Sequence, residues 1–252
     1  MKHKNVLTNS DYGLMLINRN DTIIGNSISH SGGWENQYIQ LLKGLIKKFY
    51  PTHAPIEIID AGANLGTYSL AMSKMEGYSV KIYAFEAQRL IFQMLNANLA
   101  LNSIENVWTY HKVLSDRQGD WVPIECPDLN FPANFGAFEI PKTVRNSDYD
   151  GKKFMALEPV ESMKLDSLEL NHCALIKLDV EGMENEVLKG GAELIQKNRP
   201  ILFFERHKTD YGQVKTFLSH HGYSIWELPQ QNTLALRNEW DATIPNASRI
   251  QL

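Results

Sequence analysis

The ten residues 57–66, EIIDAGANLG, lead from an apolar stretch into Asp60 and then into Gly62 and Gly66, with Asn64 between them. An apolar run that ends in an acid and a glycine-rich turn reads as a strand entering a helix. In an open α/β sheet, ligands lie at the carboxyl ends of the strands, which is where Asp60, Gly62 and Gly66 fall. Glycine alone would serve a tight turn or a close helix approach. Asp60 asks for more, because a carboxylate at a buried strand edge needs a partner. A cationic or amine-bearing partner is expected.

A second acid, Glu86, ends the run VKIYAFE. An acid after the second strand of such a unit accepts hydrogen bonds from the vicinal hydroxyls of a ribose. As a simple helix cap, Asp, Ser or Asn would serve better than Glu. The turn and Glu86 together indicate an adenosine-containing ligand. NAD is the competitor, but Gly-x-x-x-Gly lacks the full dinucleotide fingerprint, whose second glycine lets a pyrophosphate approach, and Asn64 stands in the way. A ligand with an amino-acid moiety suits Asp60 better, since the carboxylate can take its ammonium while amides at the helix start take its carboxylate.

Outward from this stretch, residues 13–30 read as a hairpin, GLMLI and TIIGNSI around the polar turn Asn18 to Asp21. A helix follows SGGWEN, with Tyr38, Leu41, Leu42, Leu45 and Ile46 at helical spacing, and Pro51 and Pro55 close an N-terminal cap over residues 1–55. Strands and amphipathic helices then alternate: EIIDAG and a helix through Ser69 to Met75, VKIYAFE and a helix with Leu90 to Leu99, then VWTYHKVLS as a third strand. Residues 116–174 break the rhythm and read as an insertion. LIKLDVE and ILFFE resume it around one helix holding Met183, Val187, Leu194 and Ile195; DYGQVKTFLSHHG is a last helix and YSIWELPQQNTLALRN a closing hairpin. This order predicts a mostly parallel sheet ending in an antiparallel strand, with helices on its faces.

At 252 residues the chain is expected to form one domain, residues 1–252. A net charge of -4 and 43% hydrophobic residues lack the basic excess of a nucleic-acid binder, so no nucleic-acid partner is expected. Cys126 and Cys173 are far apart and read as small buried apolar residues, which fits a reducing cytoplasm. No apolar run approaches the roughly 18 residues of a membrane span, and MKHKNVLTNSD lacks a signal-peptide core.

The stretches IIDAGANLGTYSLAMSK, IYAFEAQ, NANLALNSIENV, VLSDRQG, LIKLDVEGMENEVLKGG and RPILFFERH resemble the successive motifs of FkbM-type S-adenosylmethionine-dependent methyltransferases, over residues 34–207. The resemblance implies a class I methyltransferase (Rossmann-like) α/β fold: a seven-stranded, mostly parallel sheet with an antiparallel C-terminal strand and helices on both faces. It also implies methyl transfer from S-adenosylmethionine to a hydroxyl of a sugar, glycoconjugate or secondary metabolite. Matching positions put Asp60, Gly62, Asn64 and Gly66 at the methionine part, Glu86 at the ribose, and Leu114, Ser115 and Asp116 at the adenine end. Gln88 departs from the family, which often has an Asp or Pro-Asp there.

An alcohol becomes a good nucleophile only as its proton leaves, so a base or a divalent ion is sought beside the cofactor cleft. Asp179, at the end of LIKLDVE, is the first candidate for either role; Glu181 and Glu184 could join it around a divalent ion, magnesium being the one expected. Acids in a first helical turn are also favoured by the helix dipole, and Asp179 could simply cap that helix. In ILFFERHK, alternation puts Glu205 and His207 on one side of the chain, which makes His207 a competing base oriented by Glu205. Phe131, Phe135 and Phe138 could stack on an acceptor ring or form a satellite core, and Trp34 with Glu35 reads as a lip of the cleft. Outside methyl transfer, the alternatives are an NAD(P)-dependent oxidoreductase and a non-catalytic nucleoside-binding module.

Overall fold

Strands that are buried along most of their length need cover on both faces, and the middle of the sheet consists of such strands. The computed structural model describes residues 4–137 and 154–250. It opens with strands β1 (Asn5–Ser10) and β2 (Gly13–Asn18), paired antiparallel, followed by helices α1 (Ile24–Ser31) and α2 (Asn36–Phe49). The alternating part comprises β3 (Pro55–Ala61), α3 (Thr67–Ser73), β4 (Ser79–Phe85), α4 (Arg89–Leu101) and β5 (Val107–Tyr110). β6 (Val113–Leu114), β7 (Trp121–Pro127) and β8 (Phe154–Met163) form a separate small sheet in the order β6-β8-β7. The chain continues with β9 (Cys173–Leu178), α5 (Glu184–Gly190), α6 (Ala192–Asn198), β10 (Ile201–Glu205), α7 (Tyr211–His220), β11 (Tyr223–Glu227), β12 (Asn232–Arg237) and β13 (Ser248–Ile250).

The main sheet runs β13-β11-β12-β10-β9-β3-β4-β5. β5, β4, β3, β9 and β10 are parallel, and β12 lies antiparallel between β10 and β11. The expected antiparallel strand is therefore present, and β13 adds an eighth strand at the edge beyond the seven expected. Side-chain alternation splits the core in two: Ile58 joins the apolar cluster that includes α2, α3 and α4 residues, and Ile59 joins the one with α5, α6 and α7 residues.

Three expectations are corrected. The hairpin lies upstream of its predicted place: β2 pairs with β1, and TIIGNSI enters helix α1 instead of a strand. Its β-branched residues favour a strand, but the Asp21 carboxylate takes the amides of Ile23 (3.1 Å) and Gly25 (2.9 Å) and sets the helical entry. The third strand breaks after Tyr110, and Val113 and Leu114 pair with β8 in the small sheet. The single helix over 183–195 is two, α5 and α6, divided at Gly190 and Gly191. A side chain on Gly190 would stand 2.0 Å from the Ser115 carbonyl oxygen, so the close approach of that loop requires glycine at the break.

Candidate functional site

The carboxyl ends of β3, β4, β9 and β10 converge on a cavity of about 450 Å³, within the range of small-molecule sites. Of the residues singled out from sequence, Gly62, Asn64, Glu86 and Leu114 line it, as do Asp179, Glu181, Glu205 and His207. Trp34 and Glu35 contribute from the N-terminal segment, Gln230 and Asn232 from the turn and strand at the C-terminal hairpin. Asp60, Gly66, Ser115 and Asp116 are not among the lining residues. Of the phenylalanines, Phe135 is buried in the core and Phe131 is exposed, while Phe138 lies outside the described residues.

Asp60 has the cationic partner its burial demands, and that partner belongs to the chain. Lys177, on β9, donates from Nζ to the Gly62 carbonyl (2.6 Å) and lies 3.5 Å from Asp60 Oδ1 and 3.6 Å from Asp179 Oδ2. The Ser69 hydroxyl donates to Asp60 Oδ2 at 2.7 Å. Burial pulls the Lys177 ammonium down, but Asp179, Asp60 and Glu35 outweigh it and hold the pKa above the ordinary lysine value. Sequence reasoning passed over Lys177. The signal was available, since a lysine within the otherwise apolar run CALIKL cannot be buried without acids beside it.

The glycine turn is held as tightly. Gly62 has φ +74, and a side chain there would stand 1.8 Å from the Asp179 carbonyl oxygen, so both the backbone conformation and the crossing of the two strand ends exclude other residues. Asn64, also in the left-handed region at φ 50, gives its amide to Glu86 Oε2 at 2.9 Å. Gln88 gives its own amide to Glu86 Oε1 at 2.8 Å, and its side chain reaches the Phe135 carbonyl at 2.8 Å. Burial pushes the Glu86 carboxyl up to about 7, against the lowering effect of those amides. Leu114 reaches the cavity, whereas Ser115 is buried behind it against Gly190.

The remaining acids are arranged around Asp179. Glu181 is paired with Lys208, and burial still leaves its pKa raised. Glu184 folds back, one oxygen facing the amides of Val180 (3.3 Å) and Gly182 (3.4 Å), and burial pushes it up to about 7. Burial, then Asp179, raise the pKa of Glu205. The exposed His207 is oriented by Gln231, its Nδ1 3.0 Å from Oε1, where Glu205 was expected to orient it. Asp179 and Glu181 thus each face a lysine, and no group of three His, Cys, Asp or Glu side chains placed to hold a metal occurs among the described residues. The donor set sought for a divalent ion is not assembled there.

Glu35 sits across from this group. It precedes α2 with φ 53 and ψ 30, a conformation unusual for glutamate, and Tyr38 on that helix anchors the segment by donating to the Pro229 carbonyl at 2.6 Å. The Tyr68 hydroxyl donates to Glu35 Oε2 at 2.8 Å, and Asn232 Nδ2 approaches Oε1 at 3.4 Å.

A family model described as the methyltransferase FkbM domain matches residues 60–225. The protein called Methyltransferase 1 of Beauveria bassiana (strain ARSEF 2860) is 24% identical over 184 residues, which cover 67% of this chain and 72% of that one. Methyltransferase sdnD of Sordaria araneosa is 31% identical over 160 residues, 53% of this chain and 59% of that one. The crystal structure of Methyltransferase FkbM from Methylobacillus flagellatus KT shares the fold at a TM-score of 0.50 and 14% identity, over 84% of this chain and 52% of that one. The chain therefore spans just over half of that structure's length.

Proposed function

The chain belongs to the FkbM methyltransferase family, and on that premise we propose that it transfers a methyl group from S-adenosylmethionine to a hydroxyl of a small acceptor, a sugar, glycoconjugate or secondary metabolite. The observation that carries this reading is the cavity at the strand ends, which joins the Gly62 turn, the fixed Glu86 carboxylate and the acid group around Asp179 in one space. When bound, the donor supplies an electrophilic methyl on a cationic sulfur; the chain has to align it with the acceptor oxygen and exclude water.

Glu86 suits the ribose: each oxygen is held by one backbone amide and keeps a further lone pair for a hydroxyl donor. Gly62 and Asn64 would border the methionine part, with Gly66 behind them in the turn. Asp60 acts there through Lys177, which fixes the Gly62 carbonyl and is itself held ionised by two acids. Leu114 would cover the adenine end, with Ser115 and Asp116 supporting that loop. Asp179, Glu205 and His207 border the end assigned to the acceptor, where their task is to bind and orient its hydroxyls. We take residues 1–252 as one working unit in which the N-terminal cap and the insertion shape the acceptor end. No helix among the described residues is long and apolar enough to cross a membrane, and the proposed setting is the cytoplasm.

Calorimetric titration with S-adenosylhomocysteine, together with a methyl-transfer screen over nucleotide sugars, glycans and phenolic or polyketide alcohols read by mass spectrometry, tests this reading. Saturable binding and a methylated alcohol are expected. Absence of S-adenosylhomocysteine binding, or NADH binding in its place, would overturn it.

A further inference from the structure

The carboxylate of Glu35 comes from outside residues 60–225, the stretch matched by the family model, and its surroundings differ from those of every other acid at the cavity. Glu86 gives each oxygen to a backbone amide, Glu181 is paired with Lys208, and Asp179 faces the Lys177 ammonium at 3.6 Å. Glu205 feels Lys208, His207 and Lys177 together. Glu35 has no ion pair among the described residues and, unlike Glu86, only one short hydrogen bond: Tyr68 Oη donates to Oε2 at 2.8 Å, whereas Asn232 Nδ2 stands 3.4 Å from Oε1. That leaves Oε1 weakly engaged and able to take a proton. Tyr68 is buried, its ring 5.3 Å from Lys177 Nζ, and it holds the Glu35 carboxylate from the side of the floor. The left-handed backbone at Glu35, uncommon outside glycine, is the kind of local strain that collects at functional positions.

On the reading of methyl transfer to a hydroxyl, we propose that Glu35 is the general base. Its carboxylate takes the proton of the acceptor O–H as the oxygen lone pair forms the new bond to the methyl carbon. The carbon–sulfur bonding pair returns to sulfur, which leaves as a neutral thioether. Protonated Glu35 then releases its proton to water at the mouth of the cavity.

The titratable and charged groups facing Glu35 are Tyr12, Tyr38, Tyr68, Lys177 and Asp179. Burial raises its pKa, Tyr68 opposes, Asp179 raises it again, and Lys177 and Asn232 oppose less; the net shift is upward. A glutamate shifted toward neutrality is a better proton acceptor at working pH than an ordinary one.

The test compares wild type, Glu35→Gln, Glu35→Asp and Asp179→Asn. Glu35→Gln should bind S-adenosylhomocysteine as wild type does, yet lose kcat by about a hundredfold or more with KM little changed. The acidic limb of the kcat pH profile should vanish in Glu35→Gln, persist in Asp179→Asn, and return with partial turnover in Glu35→Asp. Carbon-13 NMR of the unliganded wild type should show a side-chain carboxyl titrating above the ordinary glutamate range, a signal missing from Glu35→Gln and unaffected by whether any acceptor is known. The proposal fails if Glu35→Gln keeps more than about a tenth of wild-type kcat, or if Glu35 titrates in the ordinary range. Should Glu35→Gln not fold, Glu35→Asp and the NMR titration decide. Wild type that binds no S-adenosylhomocysteine, or methylates nothing, overturns the underlying reading and this assignment with it; turnover indifferent to Glu35 overturns this assignment alone.

Discussion

The floor of the cavity and its N-terminal wall both carry carboxylates, and they are satisfied in opposite ways. On the floor, Asp60 and Asp179 share one lysine, so each has a cation of the chain's own within 4 Å. On the wall, Glu35 is held only by a phenol and an amide, and no proton donor of opposite charge sits on it at bonding distance among the described residues. A cation close to a carboxylate lowers its readiness to accept a proton; the phenol and the amide on Glu35 also oppose protonation, but burial outweighs them and the net shift is upward. The floor is suited to positioning and the wall to chemistry.

The contrast is broken most severely by Lys177→Met. It leaves Asp60, with 3% of its side chain exposed, without its cation, and removal of one partner from a buried pair costs about 3–5 kcal/mol. Urea unfolding at neutral pH should show a loss of that size, and S-adenosylhomocysteine affinity should fall as the Gly62 carbonyl is released. A loss below about 1 kcal/mol would mean that the floor is not an ion-paired unit. Next comes Gly62→Ala. The added carbon meets the Asp179 carbonyl oxygen at 1.8 Å and the backbone is left-handed, so the strand ends must separate, costing about 2–4 kcal/mol. Calorimetry should find S-adenosylhomocysteine binding lost, and full retention would show that the turn does not carry the donor.

The smallest effect sharpens the comparison through pH. Glu86 is pushed up to about 7 in the folded chain, so the native state binds the extra proton between the ordinary glutamate pKa and 7, and stability falls as pH rises through that window. In the unliganded protein Glu86→Gln should remove this slope. Relative to wild type it should be more favourable at pH 8 than at pH 4 by up to about 3 kcal/mol. Identical pH profiles for the two proteins would mean that Glu86 is not desolvated in solution.

Much of the frame was legible because it rests on local pattern. CALIKL, ILFFE and VKIYAF are apolar runs of strand length bounded by acids and turns, and they are β9, β10 and β4. The acids that end two of those runs border the cavity as Glu86 and Glu205, and Asp179 follows the third. The failures occur where a side-chain cap or a residue distant in sequence overrode the pattern of the run itself. TIIGNSI reads as a strand until the Asp21 carboxylate takes the helix amides, and the helix over 183–195 reads as one until the Ser115 carbonyl demands a glycine at its middle. VWTYHKVLS divides because its second half finds β8, a partner in a different sheet.

Residue order alone determined the alternation of strands and helices, the antiparallel closing strand and the acids and glycines placed at strand ends, since periodicity and turn chemistry act over a few neighbouring positions. Only the tertiary structure decided which acids are neutralised. Lys177 reaches Gly62 from 115 positions away, and Asn232 reaches Glu35 from 197. Charge balance in a buried site depends on distances of a few ångströms between segments that the linear chain keeps far apart.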